Sequence, residues 1–363
     1  MVATSLVLAL SSSLIAAALP AQQPLAGVTL ADPTDCTPKS PLTAAATYYG
    51  IGKNKTTNTG PVRLRISNGG AGLSGLVGAL ANAYITYTVD QTKREKPFTI
   101  EWVKGDTTET INYLGTGQAD VGITYNKAAE CQAMSDGVAT RRVYGFRDHF
   151  YLAGPPENPA GLKEYKKGGQ NENVLTQFQK IVRTGNNATQ DPPTRFLSRY
   201  DKSATNIKDS ELFVAIGQVP WGLAYSKWYH QYTMYPIDAL KAAALLGEYT
   251  VTDRGTWLST PTNITKLLVR YNEGEDDPTQ SIAGKPEGSA DPLLNPAFFL
   301  TSTQICESNK KLADNFLSWV THSDLGQKVI EDFRGKASPN EWLYTRAPSR
   351  NDLRIQNCTI IGS

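Results

Sequence analysis

Residues 195–206 read R-F-L-S-R-Y-D-K-S-A-T-N. A short apolar run ends at Ser198 and Arg199, and a polar loop covers residues 200–202. Ser203-Ala204-Thr205 then stands where a helix should begin, because Ser and Thr cap helices well. A strand, a turn carrying Arg and a hydroxyl-rich helix start together make an anion cradle. The helix start offers unpaired N–H donors and a partial positive charge, and Arg199 adds a fork of donors that stays charged. An ordinary capped loop with a surface Arg would read the same from this stretch alone, so its surroundings have to decide.

Going back toward the N-terminus, residues 62–66 alternate as a strand and run into Ser67-Asn68-Gly69-Gly70-Ala71-Gly72. Residues 73–87 then carry Leu76, Leu80 and Tyr84 at helical spacing. Strand, glycine-rich loop and helix let backbone N–H groups approach an anion closely. The loop is no dinucleotide fingerprint and no Walker motif. A second strand, 98–103, leads into Lys104-Gly105-Asp106-Thr107-Thr108-Glu109, again a helix start with hydroxyls. A third, 120–124, ends in Tyr125-Asn126. Three βα units in a row predict a parallel sheet flanked by helices, with ligands at the carboxyl ends of its strands.

Beyond an extended run at 150–153, Pro155-Pro156 and Asn158-Pro159 mark a crossing into a second lobe. There we expect a helix over 173–183, the opening motif, and an aromatic-rich region, 221–235, that serves packing. A helix over 240–246, a strand over 248–252 and an extended return at 267–271 follow. Residues 271–292 read as an acidic exposed insertion. A strand at 297–300 and helices at 310–320 and 327–333 complete the order.

Composition bounds the function. The 363 residues are 40% hydrophobic and 19% charged, with a formal net charge of +2, which gives no support for a nucleic-acid or membrane-surface role. Residues 1–21 form a short apolar segment ending in small residues, read as a secretory signal peptide although no Lys or Arg precedes it. No later stretch is long and apolar enough to span a bilayer. Cys36, Cys131, Cys306 and Cys358 lack metal-type spacing, and three disulfide pairings are open to them. N-x-S/T sequons occur at Asn54, Asn187, Asn263 and Asn357. Together these features predict a secreted, extracellular eukaryotic glycoprotein. Residues 22–60, rich in Pro, Thr, Ala and Asn, are expected to form a loose arm.

Several of these segments together resemble the bacterial tungstate-binding periplasmic receptors. The carrying pieces are residues 142–155 with Asn158-Pro159-Ala160-Gly161, then Phe196-Leu197-Ser198-Arg199 with Asp201, Ser203 and Thr205. Tyr249-Thr250-Val251-Thr252-Asp253-Arg254-Gly255-Thr256 is the most specific piece, and residues 313–333 with Trp319 and Gly326-Gln327 complete the set. The likeness runs, in the family's order, over about residues 63–333. It implies an α/β fold of type II: two lobes joined by two crossing hinge strands, closing on an oxyanion. The lobes would be 61–154 with 261–363, and 155–260. The resemblance also underlies the expected disulfides Cys36–Cys358 and Cys131–Cys306, both within one lobe. Departures are visible: the family's threonine-rich first loop is glycine-rich here, and both glycines and the His of its Arg-Gly-Asp-x-Ser-Gly-Thr-His motif are replaced at Tyr200, Ala204 and Asn206.

The expected site is Ser67, Asn68, Gly69, Thr107, Thr108, Arg199, Ser203 and Thr205, all donating to a tetrahedral oxyanion. A deprotonated dianion such as tungstate or molybdate offers only acceptors, so its site should hold donors and one matching cation. If Asp106 or Asp201 points inward, monoprotonated phosphate or a phosphoester is favoured instead. Asp201 also fits turn formation and helix capping, and Thr107 and Thr108 also fit simple capping. No cofactor is implied, and no enzyme: His149, His230 and His322 stand beside no nucleophile motif, and neither G-x-S-x-G nor H-E-x-x-H occurs. The expected partners are the inorganic oxyanion and, by the bacterial resemblance, a membrane importer, with the protein itself a monomer. A receptor fold reused to bind a surface partner is the alternative.

Overall fold

The computed structural model describes residues 42–223, 225–274, 291–335, 338–347 and Cys358. Residues 1–21, expected above to be a signal peptide, Cys36, Asn357 and most of the acidic stretch 271–292 lie outside the described residues. The chain opens with β1 (Ala46–Tyr48), β2 (Val62–Asn68), α1 (Gly70–Ser74), α2 (Leu76–Ile85), β3 (Thr99–Lys104), α3 (Thr107–Gly115), β4 (Val121–Thr124) and α4 (Lys127–Ser135). The 16-residue β5 (Ala139–Gly154) follows. After it come α5 (Val174–Gly185), β6 (Phe196–Ser198), α6 (Ala204–Ala215), β7 (Tyr229–Gln231), α7 (Pro236–Leu246), β8 (Tyr249–Asp253), α8 (Arg254–Ser259), the single turn α9 (Thr262–Thr265) and β9 (Val269–Glu273). The last part holds β10 (Leu294–Ser302), α10 (Glu307–Val320), α11 (Gly326–Asp332), β11 (Arg334–Gly335), β12 (Ser338–Trp342) and β13 (Thr345–Arg346).

Nine strands follow one another in the order β1-β3-β2-β4-β10-β5-β8-β6-β7, with β9 and β13 also on β5. Two parallel triplets, β3-β2-β4 and β8-β6-β7, are the two ends of a βα scaffold. Antiparallel β10 and β5 join them. The first part of β5 pairs with β10, whereas Phe150–Ala153 pairs with β8. One continuous strand therefore passes from one hydrophobic core to the other. The first core gathers Leu80, Tyr84, Ile100, Val121, Phe299 and Phe316. The second gathers Phe178, Phe196, Phe213, Tyr229, Tyr249 and Tyr271. The aromatic-rich region thus packs inward at Trp228 and Tyr229, and the Phe196 and Phe213 rings meet edge to face at 5.1 Å.

Three expectations need correction. The helix over 73–87 is broken, because Gly75 adopts φ +97° between α1 and α2, a conformation that a residue with a Cβ rarely takes. The loose arm 22–60 contains an ordered edge strand, β1, whose Thr47 pairs with Glu101 of β3. Neighbouring backbone, rather than local apolar pattern, orders it. The third concerns the disulfides. Cys131 of α4 is bonded to Cys358, with Cα atoms 4.7 Å apart, so Cys36–Cys358 and Cys131–Cys306 are both overturned. Cys306 is itself disulfide-bonded. The tail brings Cys358 to a cysteine 227 residues away, a meeting that spacing in the sequence does not encode.

Candidate functional site

The ends of β2, β3 and β6 open into one cleft of about 460 Å³. Two helices start at its walls. At α3, Asp106 accepts the Glu109 amide at 2.7 Å while the Glu109 carboxylate accepts the Asp106 amide at 3.0 Å, a reciprocal capping box. At α6, Ser203 is the N-cap and accepts from the Asn206 amide. These caps use the third amide of each helix. The first two amides of each have no intrahelical partner by helix geometry.

Six of the eight expected residues line this cleft: Asn68, Gly69, Thr107, Arg199, Ser203 and Thr205. Thr107 and Thr205 are 4% and 5% exposed, so both are largely buried at the cleft wall. Ser67 is not among the lining residues. It is fully buried, with Oγ 2.9 Å from Thr110 Oγ1, because strand alternation turns it from its neighbour Asn68. Thr108 is exposed and also outside the lining, on a different face of α3 from Thr107.

The lining residues have different duties. The Asn68 side chain is committed to the backbone: Nδ2 donates to the Ile123 carbonyl at 2.8 Å and Oδ1 accepts the Gly72 amide at 3.0 Å. It shapes the glycine loop. Arg199 donates to the Asp201 carboxylate and, through Nε, to the Met234 carbonyl at 3.2 Å. Asp201 also accepts the Ser203 amide at 3.0 Å. The Arg charge therefore stands in the cleft already matched by its own loop. Burial pushes the Asp106 carboxyl above its usual range, and the Asp201 charge adds to that.

Four lining residues escaped the sequence reading. Lys104 reaches across with its ammonium 3.5 Å from the Tyr235 ring centroid. Asp148 and Asn295 face each other on β5 and β10 at the cleft floor. Tyr125 joins them, its hydroxyl 3.5 Å from Asn68 Nδ2 and its acidity weakened by burial. The signal available for Lys104 was its place at a strand's carboxyl end. Asp148 had no signal, since an Asp inside an extended run gives no sign of which strand it will face. Arg254, beside the floor, donates to the Trp342 carbonyl at 2.8 Å and to the Tyr151 hydroxyl at 2.5 Å, fastening α8 to β12 and β5.

Among the described residues, no group of three or more His, Cys, Asp or Glu side chains is disposed to hold a metal ion, and no helix is long and apolar enough to cross a membrane. The model of the PBP superfamily domain matches residues 55–324. A crystal structure of a periplasmic protein, provisionally named metal-binding, is 44% identical with a TM-score of 0.70, over 84% of this chain and all of that one. The tungstate-binding protein TupA of Campylobacter jejuni is 25% identical over 72% of this chain and 83% of its own length. An ABC transporter protein of Haloferax volcanii, provisionally named anion-binding, is 27% identical over 69% of this chain, and the match spans 65% of its length. The resemblance read from the sequence is thus borne out, and the chain belongs to the PBP superfamily, where its relatives include tungstate-binding receptors.

Proposed function

We propose that this protein is a solute-binding protein, not an enzyme, that captures a tetrahedral oxyanion in the cleft, with tungstate or molybdate as the leading ligand. The observation that carries the reading is that the first turns of two helices, with the largely buried Thr107 and Thr205, line one cleft together with Arg199. Each sits at a positive helix end, so the two first turns offer donors to the cleft beside the carboxylates of Asp106, Glu109 and Asp201. With Gly69, Ser203 and Arg199 they form the proposed donor set, and Asn68 holds the loop. The two lobes, 61–154 with 261–363 and 155–260, would close over the ion. The names of two relatives point to an anion, and one of them to delivery to an importer of the ABC type, while the 44% identical structure is provisionally named metal-binding.

One observation favours a second reading. Asp106 and Asp201 both line the cleft, and a carboxylate can accept the proton of monoprotonated phosphate or a phosphoester. The sequons at Asn54, Asn187 and Asn263 are exposed, which accords with a secreted, glycosylated, extracellular monomer.

Isothermal titration calorimetry of ligand-free protein with tungstate, molybdate, sulfate and phosphate tests the reading. Binding of tungstate or molybdate in preference to sulfate and phosphate is expected. Preference for phosphate would shift the assignment to the second reading. No heat with any of the four from folded protein would overturn oxyanion capture.

A further inference from the structure

Asp148 is a cleft carboxylate that neither helix capping nor an ion pair accounts for. It lies on β5, the strand shared by both halves of the sheet, opposite Asn295. It is 5% exposed and still lines the cavity that holds Thr107 and Thr205. Its surroundings are poor in usable positive charge. Asp253 faces it from the β8–α8 junction, Tyr125 from the end of β4, and Tyr344 from the segment before β13. Arg254 of α8 is near, but its guanidinium is held by Tyr151, the Trp342 carbonyl and Glu341. On its own strand, the His149 amide donates to Asp148 Oδ1 at 2.7 Å, and the His149 ring packs on Trp342. No Lys or Arg nitrogen pairs with Asp148 among the described residues.

Burial disfavours a charged carboxylate, and the Asp253 charge disfavours it further, which together hold the Asp148 carboxyl well above its usual range. A neutral carboxyl carries an O–H donor, whereas a carboxylate only accepts. We infer that Asp148 acts as a neutral carboxylic acid that donates a hydrogen bond to the bound oxyanion from the cleft floor, making it a specificity-determining residue for acceptor-only ligands. This rests on the oxyanion reading. It also removes the conflict between a buried acid in the floor and a dianion above it, since the ligand meets a donor there. Once solution pH exceeds the ionisation of Asp148, the protein must take up one proton to bind, so affinity falls by at most about tenfold per pH unit. Asp106, Glu109 and Asp201 also border the cleft, so a variant has to isolate the contribution of Asp148.

The test is calorimetric titration of molybdate at about pH 5.5 and about pH 8.5, with the wild type and Asp148→Asn. The amide keeps the shape and a donor but does not titrate. The wild type should bind more weakly at the upper pH, while Asp148→Asn should hold within about threefold of the wild type's acidic value at both ends. Parallel profiles for the two proteins, or uniformly weaker binding by the variant, would overturn the inference and leave oxyanion capture standing. Absence of molybdate binding by the wild type at both pH values would overturn the inference and, with tungstate also failing, the leading reading. Should the variant fail to fold, wild-type titrations at the upper pH in two buffers of different ionisation enthalpy decide the matter. Uptake of about one proton per molybdate is expected, and none would refute the donor role.

Discussion

The ammonium of Lys104, at the end of β3, stands 3.5 Å from the centroid of the Tyr235 ring, at the start of α7, so the two walls of the cleft touch through a cation and an aromatic face. A second bridge runs from Asn126 Nδ2 to Glu211 Oε1 at 3.2 Å. Both contacts join the βα units before β5 to those after it. They tie the two walls of the cleft together by polar contacts that water can replace.

Such a contact should tune closure without carrying the fold. An exposed cation–aromatic contact contributes about 0.5–1 kcal/mol. Tyr235→Leu is therefore expected to weaken oxyanion binding by about two- to fivefold, read by calorimetry, with an unchanged melting temperature. A melting temperature that drops while affinity holds would mean that Tyr235 serves packing alone.

Arg199 and Asp201 should respond as a coupled pair. Removing the Arg leaves a carboxylate unmatched in the cleft, so Arg199→Ala should cost both a donor and a charge, about 1.5–3 kcal/mol of tungstate binding. Asp201→Asn frees the guanidinium for the ligand and should hold or raise tungstate affinity. Added to Arg199→Ala, it should recover part of the loss. Titrations of the three variants give the coupling directly, and simple additivity would show that the two side chains act independently.

The glycine loop depends on close packing at Gly72. A Cβ there would run into the Trp102 indole, whose Nε1 donates to the Asn68 carbonyl at 2.8 Å. Gly72→Ala should force the loop and the indole apart and lower stability by about 1–3 kcal/mol, seen in denaturant unfolding. Gly70→Ala, where a Cβ meets nothing nearer than the Tyr125 hydroxyl at 4.0 Å, should be much milder.

Stability should also report on Asp209, beneath the opening motif. Its Oδ2 accepts from Ser198 Oγ at 2.7 Å, and burial raises its ionisation to about 7. The folded protein therefore binds this proton more tightly than the unfolded chain, whose Asp ionises near about 3.9. Its contribution favours folding in acid and is lost as pH rises from about 4 toward about 7. Asp209→Asn should raise the melting temperature more at about pH 8 than at about pH 4.5, by calorimetry. Equal shifts at both pH values would remove Asp209 as the titrating group.

The sequence alone determined the order of the βα units, because each strand's apolar run and each helix's cap are local. Ser203 could be read as a cap since its partner, the Asn206 amide, lies three residues away. The meeting of Gly69, Thr107, Arg199 and Thr205 at one cleft was legible for the same reason: strand ends and helix starts converge in this kind of sheet. Facing the cleft was another matter. Ser67 and Thr108 have the same chemistry as their neighbours, and only strand alternation and helix phase turned them away. Only the tertiary structure joined Cys131 to Cys358, set Asp148 against Asp253, and brought Lys104 to Tyr235. Those meetings cross large gaps in the chain, where packing of two cores around one shared strand, rather than any local preference, fixes which side chains meet.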